Sequence, residues 1–324
     1  VTSLRKHTVQ VLDETTDSSK AMANLKVPER ILVYLRNLSK GSIERAVFKD
    51  CILDSLGHSG LEALVSCTLE DNRLVISNPT KETNAVVLKH PSFCPCHGLS
   101  SSDVTNITQE VLDRGVDCGV VTLLWSSDQY LLLTRRASHL RNFPGVWVPP
   151  GGHLERGETL VEAGLRELHE ETGIEVDPNK CSPNIVALWE SVYPPLLSRG
   201  LPKKHHIVVY QSVTSSKTHQ QLDAELKLDA NEVGASAWLE ESIVRALTKL
   251  SEESGEKCEA VLNEIPDTIR GHVVDPVTGK AADDQIPTRV FYQRAPPSGE
   301  DIERLSTGSL FAMQSWLKKY SAAS

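Results

Sequence analysis

One segment, GGHLERGETLVEAGLRELHEETGI at residues 151–174, most constrains the fold of this chain, because it joins a complete helix signal to a high density of acidic residues. Thr159 and Glu162 have the spacing of a capping box. Gly173 supplies the left-handed residue that commonly ends a helix. We therefore predict a helix from about Leu160 to Thr172.

Helical geometry, at about 100° per residue, sorts the side chains of this helix into two groups. Three aliphatic residues share one narrow stripe, which we predict to face the core: Val161, Leu165 and Leu168. Glu167, Glu170 and Glu171 cover a neighbouring arc of about 100° and should converge beside that core. Because like charges at these spacings destabilise an isolated helix, we expect a cation among them.

Carboxylate ligands suit hard divalent ions, and Mg²⁺ or Mn²⁺ is preferred where a phosphate completes the coordination shell. The alternative interpretation is a solvated acidic face with salt bridges to Arg166 or His169. The residues around the helix favour the metal.

A longer pattern surrounds the helix: Gly152, five residues, Glu158, seven residues, and then the run RELHEETGI at 166–174. At all nine specified positions of this 23-residue stretch, the chain resembles the signature of the Nudix hydrolases, which is called the Nudix box. Gly152 lets the loop backbone approach the site, and Gly173 ends the helix.

The resemblance implies an α/β/α sandwich with a mixed sheet, and an enzyme that cleaves a pyrophosphate linked to a nucleoside diphosphate. It implies Mg²⁺ or Mn²⁺ as cofactor, with Glu167 and Glu171 as principal metal ligands. Glu170 is expected to be a further ligand or the base that activates water. Arg166 is expected to orient a box carboxylate with help from Glu158. Together the box predicts four catalytic residues: Arg166, Glu167, Glu170 and Glu171.

Four stretches outside the box resemble one vertebrate branch of the same family: Leu131–Arg136, Gly145–His153, Trp189–Pro195 and Gly200–Val208. Members of that branch are assigned to nucleoside diphosphate derivatives and to the decapping of 7-methylguanosine-capped RNA. The resemblance therefore implies a nucleotide-type small molecule or the capped 5′ end of an RNA as substrate.

Basic residues at strand ends are the candidates for receiving the substrate's phosphates, and a loop carboxylate is a candidate extra base or base reader. These candidates are Arg135, Arg136, Lys204, His206 and Glu232. The alternative is a set of exposed basic residues that balance an acidic protein. Trp147 and Trp189 have the aromatic surface to stack on a base, but we interpret both as core residues.

Two rival functions stay open. The run from Leu132 to Arg141 resembles the coenzyme A diphosphatase branch of the family, although Arg136-Ala137 and Pro149-Pro150 depart from that branch's pattern. A catalytically weak, nucleotide-binding Nudix module is the second rival. Loss of activity usually removes box glutamates, whereas this chain keeps them all.

The order of predicted elements suggests a small α+β unit before the α/β (α+β) Nudix fold. We predict a helix over 46–56 in the first unit and a strand over 288–292 near the end of the chain. The expected divisions are an N-terminal domain at 1–98, a linker at 99–114, the Nudix domain at 115–250, and a polar, partly mobile extension at 251–324 ending in an amphipathic helix.

The net charge and the cysteine content limit which binding partners and which cellular compartment we predict. A formal net charge of −9 argues against an extended nucleic-acid surface, and no apolar run is long enough to predict a membrane span. Seven irregularly spaced cysteines predict the cytoplasm or another reducing intracellular compartment rather than secretion. Cys94, Cys96 and His97 raise the question of zinc, but without a second Cys/His cluster we predict a plain turn there.

Overall fold

The computed structural model describes residues 30–320, apart from 39–40, 82–83, 182, 253–255, 297 and 299–300. The strands in this part of the chain are β1 Leu32–Asn37, β2 Ser42–Arg45, β3 Glu62–Glu70, β4 Arg73–Ser77, β5 Ala85–Lys89, β6 Asp117–Trp125, β7 Tyr130–Arg136, β8 Val146–Val148, β9 Gly151–His153, β10 Asn184–Tyr193, β11 Lys204–Thr214, β12 Val233–Glu240, β13 Thr268–Val274, β14 Ala281–Pro287 and β15 Arg304–Leu305.

Helices occupy the connections between these strands. They are α1 Ile52–Ser55, α2 Pro95–Gly98, α3 Ser101–Asn106, α4 Gln109–Leu112, α5 Leu160–Thr172, α6 His219–Asp223, α7 Glu241–Glu252, α8 Glu256–Leu262, α9 Arg289–Tyr292 and α10 Thr307–Tyr320, with 3-10 turns at Pro178–Lys180 and Leu197–Arg199. None of the helices in the described residues is long and apolar enough to cross a bilayer.

The strands form one sheet, and this sheet is mixed, as the sequence predicts for the Nudix fold. Neighbours follow the order β14-β13-β12-β7-β6-β11-β10-β5-β3-β4-β1-β2. Off this path, β8 pairs with β7, β15 pairs with β8, and β9 pairs with β6. The pair β6–β11 is parallel, whereas β10–β11 is antiparallel. Strand β6 therefore pairs on one side with β11, which carries Lys204 and His206, and also with β9, which contains Gly152 of the box.

The N-terminal strands are continuous with this sheet. Strand β5 pairs in parallel with β10, and β1 returns to β6, where the Val33 N–H donates to the Val116 carbonyl over 2.8 Å. The path through β6, β11, β10, β5, β3, β4 and β1 thus closes on itself. Buried apolar residues from both parts of the chain, such as Val65 and Val209, pack in one cluster. The proposed domain boundaries stay a prediction.

Helix α5 has the predicted bounds, because its end signals act locally. The Thr159 hydroxyl accepts the Glu162 N–H over 3.2 Å, the Glu162 carboxylate accepts the Thr159 N–H over 2.8 Å, and Gly173 ends the helix at φ +72°. Such reciprocal capping satisfies donors that have no partner within the helix.

The predicted core face of α5 is wrong in part. Leu168 is buried as expected, but Val161 and Leu165 are only half-buried, and the face centres on Ala163 and Gly164. A Cβ at Gly164 would lie 2.0 Å from the Gln211 Nε2, so the helix approaches the sheet most closely through its small residues. This rotation of the helix also brings one glutamate of the box into the interior.

Two further predictions fail for physical reasons. The helix expected over 46–56 is confined to α1, because the Ala46 N–H donates to the Val33 carbonyl and so continues the sheet. The strand expected over 288–292 is helix α9. Its β-branched and aromatic residues are typical of a strand, which explains the prediction. In the structure this segment is a short helix whose Phe291 is buried, with its ring centre 5.2 Å from that of Trp147. The predicted C-terminal helix is confirmed as α10.

Candidate active site

Three carboxylates meet at the C-terminal half of α5. One oxygen each from Glu167, Glu171 and Glu232 lies within 4.8 Å of the others, and we name this group the carboxylate cluster. Glu232 comes from the loop before β12 and is exposed. Glu170 is not in the cluster. Its carboxylate is exposed and accepts a hydrogen bond from Arg166 Nη1 over 2.9 Å.

Glu171 is the buried member of the carboxylate cluster. Its two oxygens accept the Gly151 N–H over 3.3 Å and the Thr134 hydroxyl over 3.2 Å. Burial raises the pKa of its carboxyl to about 8, and the nearby charge of Glu167 adds to this effect. The neighbouring groups therefore do not fully compensate the charge of an ionised Glu171, and a cation would.

Glu167 lies against the loop that precedes the helix. A Cβ at Gly152 would be 2.4 Å from the Glu167 carboxyl carbon, so a side chain at this position would displace the Glu167 carboxylate. Burial raises the pKa of Glu167 as well, although Arg166 opposes the shift. The contact with Glu167 thus explains why a glycine stands at this position of the box. The sequence predicts only that the backbone approaches the site closely here.

Arg166 organises the box through all five of its N–H donors. Its Nε and Nη2 hold Glu158 at 2.6 and 3.1 Å, and Nη2 also reaches the His153 carbonyl over 2.9 Å. Its Nη1 donates to Glu167 over 3.0 Å and to Glu170 over 2.9 Å. The hydrogen bonds to Glu158 raise the pKa of Arg166, so the guanidinium keeps its charge. These are the contacts of an orienting residue, and its catalytic role stays a prediction.

A cavity of about 1310 Å³ opens beside the box, where Gly151 and Gly152 form part of its wall. Arg136, Lys204 and His206 also line it. Side chains alternate along a strand, which places Lys204 and His206 on the same side of β11. The structure therefore brings three of the predicted substrate residues to one cavity.

Arg135 is turned away from this cavity. Its guanidinium donates to the Glu303 carboxylate over 3.2 Å and lies 5.9 Å from the centre of the Trp147 ring. Because Arg135 and Arg136 are consecutive residues of β7, they face opposite sides of the sheet. Because the sequence does not show which side of the sheet faces the cavity, it predicts both arginines as substrate-binding residues.

Burial lowers the pKa values of two cavity residues, His206 and Arg136. It lowers the pKa of His206 to about 3, so this imidazole is neutral at neutral pH. Burial also lowers the pKa of Arg136, although Glu171 and Glu232 oppose the shift. Arg136 and Lys204 therefore supply positive charge at this wall, while His206 supplies a neutral polar group.

The structure adds an aromatic pair that the sequence analysis missed. Phe143 and Tyr193 line the cavity with ring centres 4.9 Å apart, and both are only half-buried. Trp147 and Trp189 are buried, which confirms that they are core residues. Tyr193 is the last residue of β10 and is followed by Pro194 and Pro195, and this Tyr-Pro-Pro run was the available signal in the sequence.

Comparisons with known proteins identify the family. A model of the NUDIX domain matches residues 114–257. The m7GpppN-mRNA hydrolase NUDT17 of Danio rerio is 48% identical over 291 residues, which cover 89% of this chain and 95% of that protein. The NUDT17 protein of Xenopus laevis is 42% identical over 291 residues, which cover 89% of this chain and 95% of that protein. The NUDT17 protein of Homo sapiens is 39% identical over 257 residues, which cover 78% of this chain and 77% of that protein. This chain belongs to the Nudix hydrolase family.

Proposed function

We propose that this Nudix hydrolase cleaves the pyrophosphate linkage of nucleoside diphosphate derivatives, including the 7-methylguanosine cap of RNA, with Mg²⁺ or Mn²⁺ as cofactor. The observation that carries the proposal is the carboxylate cluster beside a cavity lined by cationic and aromatic side chains. The relatives named m7GpppN-mRNA hydrolase support capped RNA as the substrate.

The carboxylate cluster fits a hard divalent ion. Its donors are carboxylate oxygens, which Mg²⁺ and Mn²⁺ prefer. Glu167 and Glu171 would hold the ion, since both are constrained by burial and by hydrogen bonds. When bound, such an ion neutralises phosphate charge and lowers the pKa of a water molecule.

The protein groups around the cluster have separable tasks. Arg166 fixes Glu167 in place and ties it to Glu158 and Glu170. The exposed carboxylate of Glu232 has an oxygen within 4.8 Å of those of Glu167 and Glu171, and in this proposal it accepts a proton from the attacking water. The sequence offers both Glu170 and Glu232 as candidates for the base, and comparing the turnover of Glu232→Gln with that of Glu170→Gln tests which carboxylate acts.

The cavity wall suits a nucleotide. Lys204 and Arg136 present positive charge to the phosphates, and the half-exposed rings of Phe143 and Tyr193 present aromatic surface to the base. A 7-methylated guanine carries a positive charge, which an aromatic face attracts. This arrangement favours a capped nucleotide over a chain of unmodified RNA.

Product analysis on a substrate panel tests the proposal. The full chain with Mg²⁺ or Mn²⁺ is incubated with capped RNA, ADP-ribose, NAD and coenzyme A, and products are separated by chromatography. We expect 7-methylguanosine diphosphate to be released from capped RNA faster than coenzyme A is cleaved. Faster cleavage of coenzyme A would overturn the substrate assignment. Absence of metal-dependent turnover on every substrate would overturn the enzymatic proposal in favour of a nucleotide-binding module.

A further inference from the structure

We propose that Cys51, His90, Cys94 and Glu190 bind a structural zinc ion at a site separate from the carboxylate cluster. All four residues are buried, and one ligand atom from each lies within 4.8 Å of the others. We name this group the thiol cluster. It joins the N-terminal strands to β10 and takes no part in the proposed hydrolysis.

Strand pairing brings two of the ligands together. Lys89 of β5 lies opposite Trp189 of β10 in a parallel register, so the next residues, His90 and Glu190, are side by side. They are 100 positions apart in the sequence. Cys94 follows on the loop after β5, and Cys51 directly precedes α1. The ligands thus come from three separate parts of the fold.

The spacing of the ligand atoms suits tetrahedral zinc. Cys51 Sγ lies 3.5 Å from His90 Nδ1 and 3.3 Å from Glu190 Oε2. Zinc bonds of about 2.3 Å to sulfur and about 2.0 Å to nitrogen or oxygen separate tetrahedral ligands by roughly 3.3 to 3.8 Å. The two measured distances therefore need little adjustment around an ion.

Metal binds cysteine in its thiolate form, and backbone N–H groups beside both sulfur atoms can stabilise that form once an ion is bound. The His97 N–H donates to Cys94 Sγ. The Asp54 N–H donates to Cys51 Sγ in the same way. Backbone donors thus point at both sulfur atoms.

Glu190 is oriented with one oxygen left for the ion. Its Oε1 accepts the Ile52 N–H over 2.8 Å and lies 3.1 Å from His205 Nε2. Ligating carboxylates and histidines usually have such supporting hydrogen bonds. Oε2 faces Cys51 in the centre of the cluster.

The donor set selects the metal and the kind of site. Two sulfurs and an imidazole suit zinc rather than Mg²⁺, and four buried protein ligands leave no open position, which is typical of structural zinc. Of the three residues that raised the zinc question in the sequence, only Cys94 is in this cluster. Cys96 contacts His205, and His97 pairs with Asp54.

Metal analysis tests the site. The full chain is produced in zinc-supplemented medium, washed with a chelator to remove exchangeable ions, and its zinc content is measured by mass spectrometry. We expect about one zinc per chain in the wild type, since structural zinc is held tightly, and background levels in Cys51→Ser and Cys94→Ser. Cys118→Ser, which removes a buried thiol outside the cluster, should keep its zinc. A wild-type chain without zinc, or a Cys94→Ser variant that retains all of it, would overturn the proposal.

A spectroscopic test keeps the proposal falsifiable if the cysteine variants fail to fold. Cobalt replaces zinc in the wild type, and a thiolate-to-cobalt charge-transfer band is expected in the near ultraviolet. Glu171→Gln should show the same band, because its substitution lies in the other cluster. Absence of the band, or a Cys51–Cys94 disulfide found by mass spectrometry in freshly purified protein, would contradict a zinc site.

Discussion

The carboxylate cluster and the thiol cluster are both groups of side chains that gather around an ion site, but they differ in access and in chemistry. The carboxylate cluster has one buried, one half-buried and one exposed member, whereas every member of the thiol cluster is buried. Oxygen ligands with an open side suit an exchangeable Mg²⁺ or Mn²⁺ and its substrate. Sulfur and nitrogen ligands without an open side suit a permanent structural ion.

The proposed site of hydrolysis and the proposed structural zinc site lie in different parts of the fold. The carboxylate cluster lies behind the cavity wall formed by Gly151 and Gly152, in the C-terminal half of a helix that is specified by local capping residues. The thiol cluster lies where strands from distant parts of the chain pair. We expect substitutions at the first to change turnover and substitutions at the second to change the stability of the N-terminal strands.

The largest effect is expected from Glu171→Gln. Loss of this ligand charge should reduce turnover of capped RNA at least about 100-fold, because a catalytic ion contributes several kcal/mol to the transition state. Glu162→Gln, on the same helix but at its cap, is the matched control and should retain turnover. Steady-state kinetics of the two variants measures the difference. Equal rates in Glu171→Gln and the wild type would remove the carboxylate cluster from catalysis.

A smaller loss is expected from Arg166→Lys. Lysine keeps the charge but cannot make the four hydrogen bonds that hold Glu158, Glu167 and Glu170. We expect kcat to fall about 10-fold to 100-fold, as for other groups that orient metal ligands, and more metal to be needed for half-maximal rate. Arg270→Lys, at an exposed pair with Asp283, is the control. An unchanged metal requirement in Arg166→Lys would argue against an orienting role.

Adjacent arginines on β7 provide a test of the cavity wall. Arg136→Ala should raise KM about 10-fold, since a charged hydrogen bond to phosphate contributes about 1.5 kcal/mol or more. Arg135→Ala should lower thermal stability, because its contacts with Glu303 and Trp147 are lost, and leave KM unchanged. A rise in KM for Arg135→Ala alone would reverse the assignment of the two faces.

The smallest expected effect concerns pH. His206 has a folded-state pKa of about 3, below the ordinary value, so the unfolded chain takes up a proton first as the pH falls. Its contribution to stability is therefore complete above about pH 6.5 and decreases toward pH 3. The wild type should lose unfolding free energy when the pH falls from about 7 to about 5. We expect this loss to be smaller in His206→Gln by about 1 kcal/mol, a figure that allows for partial solvent access.

Urea unfolding at several pH values measures this effect. His139→Gln, which changes an exposed histidine, provides the control and should keep the wild-type pH dependence. Identical pH profiles for His206→Gln and the wild type would contradict the burial of this imidazole.

What the sequence predicts well depends on local signals. Helix α5 was bounded correctly because Thr159, Glu162 and Gly173 act within a few residues of each end. The box pattern predicted Glu167 and Glu171 for the same reason, since one helical turn separates them. Local spacing therefore specifies the bounds of this helix and the proximity of Glu167 to Glu171, but not the face that packs on the sheet.

What the sequence predicts poorly depends on strand pairing. The thiol cluster needs the β5–β10 register to bring His90 to Glu190, and no local pattern contains that register. The sides of Arg135 and Arg136 likewise follow from how β7 is placed in the sheet. Glu232 was singled out only by its loop position, although the structure brings it to Glu167 and Glu171.

The most direct test of the account is the binding of Mn²⁺ to the carboxylate cluster, measured by electron paramagnetic resonance on the wild type and on Glu171→Gln. We predict that the wild type binds Mn²⁺ at a site that the variant lacks, and that Mn²⁺ occupancy and release of 7-methylguanosine diphosphate rise together. Equal Mn²⁺ binding by both proteins would contradict a catalytic metal site at these glutamates.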